Sequence, residues 1–166
     1  METISVHASR DYEVRIGSGL LTRTGELSAP LIKGRHAMIV SDSNVWPLYG
    51  SMVQASLEDA GFQVDHFIFP AGEQSKNTDT LVQLLTCLAQ KGMTRSDGVF
   101  ALGGGVTGDM AGLAASLYLR GIPLCAAAHR PCCRWWTPPW AARPPWTCPR
   151  QNLVGTSASP IWSVVR

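Results

Sequence analysis

Residues 101–109, Ala-Leu-Gly-Gly-Gly-Val-Thr-Gly-Asp, constrain the fold more than any other stretch. They join an apolar run at 98–100 to a helix-like stretch over 110–119. A strand that ends in glycines and leads into a helix is the building unit of an open parallel sheet. The missing Cβ atoms let the main chain approach a ligand, and the N–H groups that open the helix point outward, which suits a pyrophosphate and hence a dinucleotide. The spacing departs from G-x-G-x-x-G, and a turn of this kind is also built where the backbone requires only a positive φ.

The unit recurs along the chain. Ala37-Met38-Ile39-Val40 is an unbroken apolar run, as in a strand covered on both faces. Ser41–Asn44 follows it, then a predicted helix over Leu48–Ala60 with Met52, Val53, Ala55, Ser56 and Leu57 on or near one face and Gly61 as its stop. His66–Phe69 leads through Pro70–Asn77 into a predicted helix over Thr80–Gln90. Three such units predict an α/β, Rossmann-like parallel sheet with right-handed crossovers, in which the turns at 42–44, 71–76 and 103–109 converge on one edge around a single extended ligand. Asp42 has two readings there, an acceptor for ribose hydroxyls and an N-cap for the next helix. Ahead of these units, residues 4–8 and 12–16 alternate apolar and polar residues, which predicts an antiparallel strand pair with His7 on its solvated face. A short helix is expected over Leu20–Leu27, ended by Pro30.

Gly72-Glu73-Gln74-Ser75-Lys76, the glycine segment and Tyr118-Leu119-Arg120-Gly121 together resemble the 3-dehydroquinate synthases, NAD- and metal-dependent cyclases. The resemblance covers residues 1–124. Iron-type alcohol and glycerol dehydrogenases share a glycine-rich turn before a helix, but not the other two segments together. The resemblance implies that residues 1–124 form an NAD-binding domain. It also implies a C-terminal helical domain in which a Glu and two His hold zinc or cobalt, and a reaction that converts 3-deoxy-D-arabino-heptulosonate 7-phosphate to 3-dehydroquinate and phosphate in the shikimate pathway. Carried over by match, the NAD contacts are Gly72, Glu73, Gln74, Ser75, Lys76, Gly104, Gly105, Val106, Thr107, Gly108 and Asp109, and the resemblance favours the cofactor reading of Asp42. Thr107 stands where the family more usually has Val or Ile. Arg120 resembles a substrate-facing Arg whose guanidinium would suit a phosphate or carboxylate, and it reads equally as a helix-terminal Arg facing the dipole. Asn152 resembles an active-site Asn. The family further implies a homodimer acting on a phosphorylated sugar acid.

The character of the chain changes at Cys125. All twelve acidic residues and nine of the fourteen Lys and Arg precede it, whereas five Arg and no acid follow. Five of the six Trp and four of the five Cys also lie after residue 124. Paired prolines at 138–139 and 144–145 exclude a helix, so residues 125–150 are expected to lack regular structure. A basic, Trp-containing segment has the makings of a nucleic-acid surface. The resemblance implies a more specific origin, a shifted reading frame. Back-translated and read one nucleotide earlier, 135–149 permits Val-Val-Asp-Ser-Ser-Val-Gly-Gly-Lys-Thr-Ala-Val-Asp-Leu-Pro, which resembles the family at this point. Residues 151–156 then match the family directly, and 157–163 slips again. Three parts are therefore expected: a domain over 1–124, an out-of-frame segment over 125–150, and a short family-like stretch with an out-of-frame tail over 151–166. No Glu follows Glu73, so the family's metal ligands are not among these residues. The alternatives are a dehydrogenase relative of the glycerol or iron type and a non-catalytic nucleotide-binding fragment. The N-terminus lacks signal-peptide features and no apolar run is long enough to span a membrane, which predicts a cytoplasmic protein with neither nucleic acid nor membrane as partner.

Overall fold

Alternation along two apolar strands builds the centre of the molecule. In β3 (His36–Asp42) Ala37 and Ile39 face one side while Met38 and Val40 face the other. In β5 (Gly98–Leu102) Phe100 and Leu102 share the first side and Val99 and Ala101 the second. This period of two lets unbroken apolar runs bury both faces of a sheet. The computed structural model describes residues 2–6, 12–128, 146–147, 153–154 and 162–165, with side-chain surroundings for Thr3, Ser5 and 13–127.

Seven strands form one sheet in the order β1-β2-β9-β6-β5-β3-β4. The others are β1 (Glu2–Val6), β2 (Tyr12–Ile16), β4 (Gln63–Phe69), β6 (Leu124–Ala128) and β9 (Trp162–Val165). Only β1 with β2 is antiparallel; every other pairing in this sheet is parallel. A separate antiparallel pair joins β7 (Trp146–Thr147) to β8 (Leu153–Val154). On one side of the sheet α1 (Thr24–Ser28) and α2 (Ser51–Asp59) supply Leu27, Val53 and Leu57 to the core. On the other, α3 (Thr78–Gln90) supplies Leu81, Leu84 and Leu88, and α4 (Gly105–Leu117) supplies Met110, Leu113 and Ala114. Each fully buried leucine, such as Leu84 or Leu88, contributes roughly 2–3 kcal/mol by transfer from water.

The expected elements form, with informative shifts. Asn77 caps α3 by accepting the Thr80 amide at 2.9 Å, so the helix begins two residues earlier than predicted. The second helix is preceded by a wider π-type turn over Trp46–Gly50 that contains Pro47. On that helix Val53, Ser56 and Leu57 are buried, while Met52 and Ala55 are exposed and do not belong to the apolar face. The expected early helix is a 3-10 turn, Leu20–Arg23, that runs into α1. The fourth helix starts at Gly105 rather than at residue 110, because the Gly108 amide already reaches the Gly104 carbonyl at 3.0 Å.

The expectation for residues 125–150 fails at its start. Cys125–Ala128 continue β6, where Cys125, Ala126 and Ala127 are buried against neighbouring elements. Small side chains suffice for a strand covered by helices, so the change in composition at 125 does not stop the sheet. Residues 146–147 also pair, and β9 inserts between β2 and β6 although it lies in the expected out-of-frame tail. Residues 129–145 and 148–152, like His7, lie outside the described residues.

Candidate functional site

Strand order reverses between β3 and β5. From β3 the chain passes through α2 to β4 on one side, and then through α3 to β5 on the other. In open α/β sheets a ligand crevice opens outside the carboxyl ends of strands at such a switch point. Here a cleft of about 360 Å³ occupies that place. Its lining draws on all three expected turns: Asp42, Asn44 and Val45 from the first, Ala71 and Gly72 from the second, and Gly104 to Thr107 from the third.

The glycines of the third turn separate into two kinds. A Cβ at Gly103 would stand 2.5 Å from Thr107 Oγ1 and 2.8 Å from Thr107 Cβ, so the first turn of α4 itself excludes a side chain there. Gly104 and Gly105 are exposed, and among the described residues a Cβ at either would meet no atom beyond its chain neighbours and the helix's own backbone within 4 Å. Neither has a positive φ; Gly104 sits at φ −89°. The reading of this turn as glycines needed only for positive φ is therefore set aside. What the two glycines achieve is an unobstructed main chain at the N-terminus of a 13-residue helix, where outward N–H groups and the helix dipole favour an anion.

The walls are laced together by short polar side chains. Asp42 Oδ1 accepts the amides of Asn44 at 2.9 Å and Val45 at 3.0 Å, so it closes the turn after β3 rather than capping the helical turn that follows, whose N-cap is Val45, and its other oxygen accepts the Thr107 hydroxyl at 3.3 Å. Ser43 Oγ accepts the Ala71 amide at 3.0 Å and so ties the first turn to the second. Gly72, at φ +124°, occupies a conformation that other residues rarely adopt. Lys76 Nζ then lies 2.8 Å from Asp109 Oδ2 and 3.6 Å from Glu73 Oε1, joining the second turn to α4. Burial pushes the Asp109 carboxyl above its ordinary range; Lys76 acts in the opposite sense, and Glu73 adds to the rise.

Other residues expected at the site stand differently. Ser75 is 6% exposed and its hydroxyl donates to the Pro70 carbonyl, so it holds the turn from inside. Glu73 and Gln74 are exposed, and Gly108 is buried within α4. Arg120 follows the far end of α4, about 20 Å along the helix from Gly105 at 1.5 Å per residue. It is exposed at φ 66°, after Leu119 at φ 48°, on the amino edge of the sheet. The chain does not bring Arg120 to the cleft; it stands in the 3-10 turn that follows the C-terminus of α4. Asn152 lies outside the described residues. Ser43, Asn44 and Ala71 fall within the turns at 42–44 and 71–76 expected to face the ligand, though given no role of their own, and Val45 lies just outside them. Among the described residues no three His, Cys, Asp or Glu side chains gather as metal ligands, so this part of the chain does not fit a metal centre. No helix among them is long and apolar enough to cross a membrane.

Residues 66–129 match the 3-dehydroquinate synthase N-terminal family. The chain is 50% identical over 111 residues to a 3-dehydroquinate synthase of Streptococcus suis (strain 05ZYH33), and 47% identical over the same length to one of Streptococcus pneumoniae (strain ATCC 700669 / Spain 23F-1). Each match covers 67% of this chain and 31% of the relative, so the matched region spans less than a third of the relatives' length. Among solved structures, 2-deoxy-scyllo-inosose synthase in complex with carbaglucose-6-phosphate, NAD+ and Co2+ superposes with a TM-score of 0.76 at 22% identity, over 99% of this chain and 44% of that one. The 2-epi-5-epi-valiolone synthase of Streptomyces hygroscopicus subsp. jinggangensis 5008 with NAD+ and Zn2+ bound superposes with a TM-score of 0.73 at 24% identity, over 98% and 44%. Glycerol dehydrogenase from Schizosaccharomyces pombe gives 0.67 at 17% identity, over 92% and 36%. At these identities the structural likeness speaks for the fold.

Proposed function

Through residues 66–129 the chain is a member of the 3-dehydroquinate synthase N-terminal family, and from that premise we propose that the switch-point cleft binds NAD for a synthase of this kind. The observation that carries the reading is the open main chain at Gly104 and Gly105, because no neighbouring group among the described residues requires glycine there. The N-terminus of α4 would take the pyrophosphate, and Asp42 would face a ribose hydroxyl. Lys76 and Asp109 would hold the second turn over the bound dinucleotide. NAD, when bound, supplies a hydride acceptor that acidifies the C–H next to the carbon it oxidises. The chain's own part is to position that cofactor and exclude water along the cleft.

In this reading the full reaction is the cyclisation of 3-deoxy-D-arabino-heptulosonate 7-phosphate to 3-dehydroquinate with release of phosphate. The 166-residue chain would bind the dinucleotide without turnover, since it carries no Glu beyond Glu73 for the family's metal site. The out-of-frame peptide between Trp135 and Pro149 supports a gene whose full product does carry the rest.

Two measurements test this. Calorimetric titration of NAD into the 166-residue chain should give binding, and Gly105→Leu, which places a side chain in the open cradle, should weaken it at least tenfold. Equal affinity in both would make the turn merely structural. Phosphate release from 3-deoxy-D-arabino-heptulosonate 7-phosphate should be absent for this chain and present when the gene is restored to the earlier frame and read through its downstream region. Turnover by the 166 residues would break the frameshift reading, and a restored product that oxidised glycerol instead would favour the dehydrogenase alternative.

A further inference from the structure

Hydroxyls inside helices ordinarily donate back to a carbonyl three or four residues earlier. Thr86 does so to Val82 at 2.7 Å, and Ser116 to Leu113 at 2.7 Å. Thr107, in the first turn of α4, instead donates across the switch point to Asp42 Oδ2 at 3.3 Å. Thr107 lines the cleft with its side chain almost enclosed, at 1% exposure. An ionised carboxylate offers about four acceptor positions. Among the described residues, Asn44 and Val45 take two on Oδ1 and Thr107 takes one on Oδ2, which leaves a single acceptor on a group that lines the cleft. A valine at this position would fill the same space and leave Oδ2 without its donor.

We propose that Thr107 is a positioning residue: its hydroxyl fixes the Asp42 carboxylate so that one acceptor remains for a ligand hydroxyl, and this sets the affinity of the cleft. The inference rests on the reading of the cleft as an NAD site and assigns a task to one more of its residues. Thr107 acts only through Asp42, so removing its hydroxyl has consequences wherever Asp42 is used, in ligand binding and in capping the turn at Asn44 and Val45.

The experiment uses the 166-residue chain and NAD. Thr107→Val should weaken binding by about three- to tenfold, the range of one ordinary hydrogen bond, because Thr107 acts on the ligand only through Asp42. Thr107→Ser, which keeps the hydroxyl, should stay within about twofold of the original, and Thr107→Val should have no added effect in an Asp42→Ala background. Hydrogen exchange supplies a readout that needs no ligand. The Asn44 and Val45 amides should exchange faster in Thr107→Val but not in Thr107→Ser, while the Ala37–Val40 amides keep their protection. Additive losses in the double variant, or unmoved exchange at Asn44 and Val45, would overturn the proposal. If the unaltered chain takes up no NAD, the dinucleotide reading fails and the exchange data decide alone: faster exchange in Thr107→Val still supports Thr107 as the residue that sets Asp42, and unmoved exchange rejects it.

Discussion

At the amino edge of the sheet Gly34 is packed so closely that a Cβ would collide with Asp97, whereas at the carboxyl edge a Cβ at Gly104 or Gly105 would meet no other element among the described residues within 4 Å. The charged groups divide in the same way. On the amino edge Asp97 Oδ1 accepts the His36 amide at 3.1 Å, and Oδ2 accepts the Thr94 amide and hydroxyl at 2.7 Å each. Nearby, Asp65 receives His36 Nε2 at 2.7 Å and Lys91 Nζ at 2.6 Å. Burial alone would raise Asp97, but the hydrogen bonds from Thr94 and His36 outweigh it and hold the carboxyl below its ordinary value. The Lys91 hydrogen bond is the leading influence on Asp65, which is also held low. On the carboxyl edge burial wins, and Asp109 is raised despite Lys76. One edge is completed by the protein's own groups, and the other keeps room and polarity in reserve.

The sharpest way to break this contrast is Asp97→Ala. It would strand the His36 and Thr94 amides together with the Thr94 hydroxyl, with Asp97 only 5% exposed, and should destabilise the fold by about 2–4 kcal/mol. Urea unfolding measures it; a loss below about 0.5 kcal/mol, the range of ordinary surface changes, would mean that the amino edge is not completed in this way.

A glycine pair gives the next largest difference. Gly34→Ala must displace Asp97 or its main chain and should cost about 1–3 kcal/mol, as overpacking does. Gly105→Ala, at the start of α4 with open space around it, should leave stability within about 0.5 kcal/mol or raise it slightly through helix propensity. Equal costs at the two positions, by the same unfolding experiment, would remove the distinction between a glycine the fold needs and a glycine the cleft needs.

How much of this was legible in the chain follows from where its causes lie. The apolar run Ala37–Val40 and the turn after Leu102 announce buried strands and a switch-point edge, because a sheet covered on both faces leaves a continuous hydrophobic signature. The place of β9 between β2 and β6 was not legible: it is a pairing between residues 12–16 and 162–165, distant in sequence and within a stretch that reads as out of frame. The continuation of β6 past Leu124 was missed because alanines and a cysteine carry a weak strand signal. At the cleft, glycines and short polar residues mark the turns. The task of Thr107 was hidden, because its partner Asp42 is 65 residues away and only the folded crossover brings them together.

Acid offers a smaller effect with opposite signs at the two edges. Asp65 and Asp97 have folded values below their unfolded ones, so their contribution is present above the ordinary carboxylate range and is lost as pH falls through the folded values. Stability should therefore drop on acidification below about pH 4. Asp65→Asn should flatten that drop, since its partners His36 and Lys91 no longer favour a charged carboxylate. Thermal unfolding across pH checks it, and an unchanged slope in the variant would assign the acid sensitivity elsewhere.

The smallest expected change in stability is at Asp109, where the sign reverses. A carboxyl raised on folding favours the folded state when protonated, so its contribution is present below the unfolded value and is lost as pH rises through the folded one. At neutral pH the charged form of Asp109 works against burial, and Lys76 at 2.8 Å offsets part of that cost. Asp109→Asn removes the charge together with the ion pair, two effects of opposite sign, so stability at neutral pH should move by less than about 1 kcal/mol. The variant should also lose the gain in stability that the original chain shows as the pH is lowered from neutrality toward the ordinary carboxylate range. If Asp109→Asn instead destabilises the fold as strongly as Asp97→Ala, then Asp109 is a completed structural carboxylate like its counterpart at the other edge, and the carboxyl edge holds nothing in reserve.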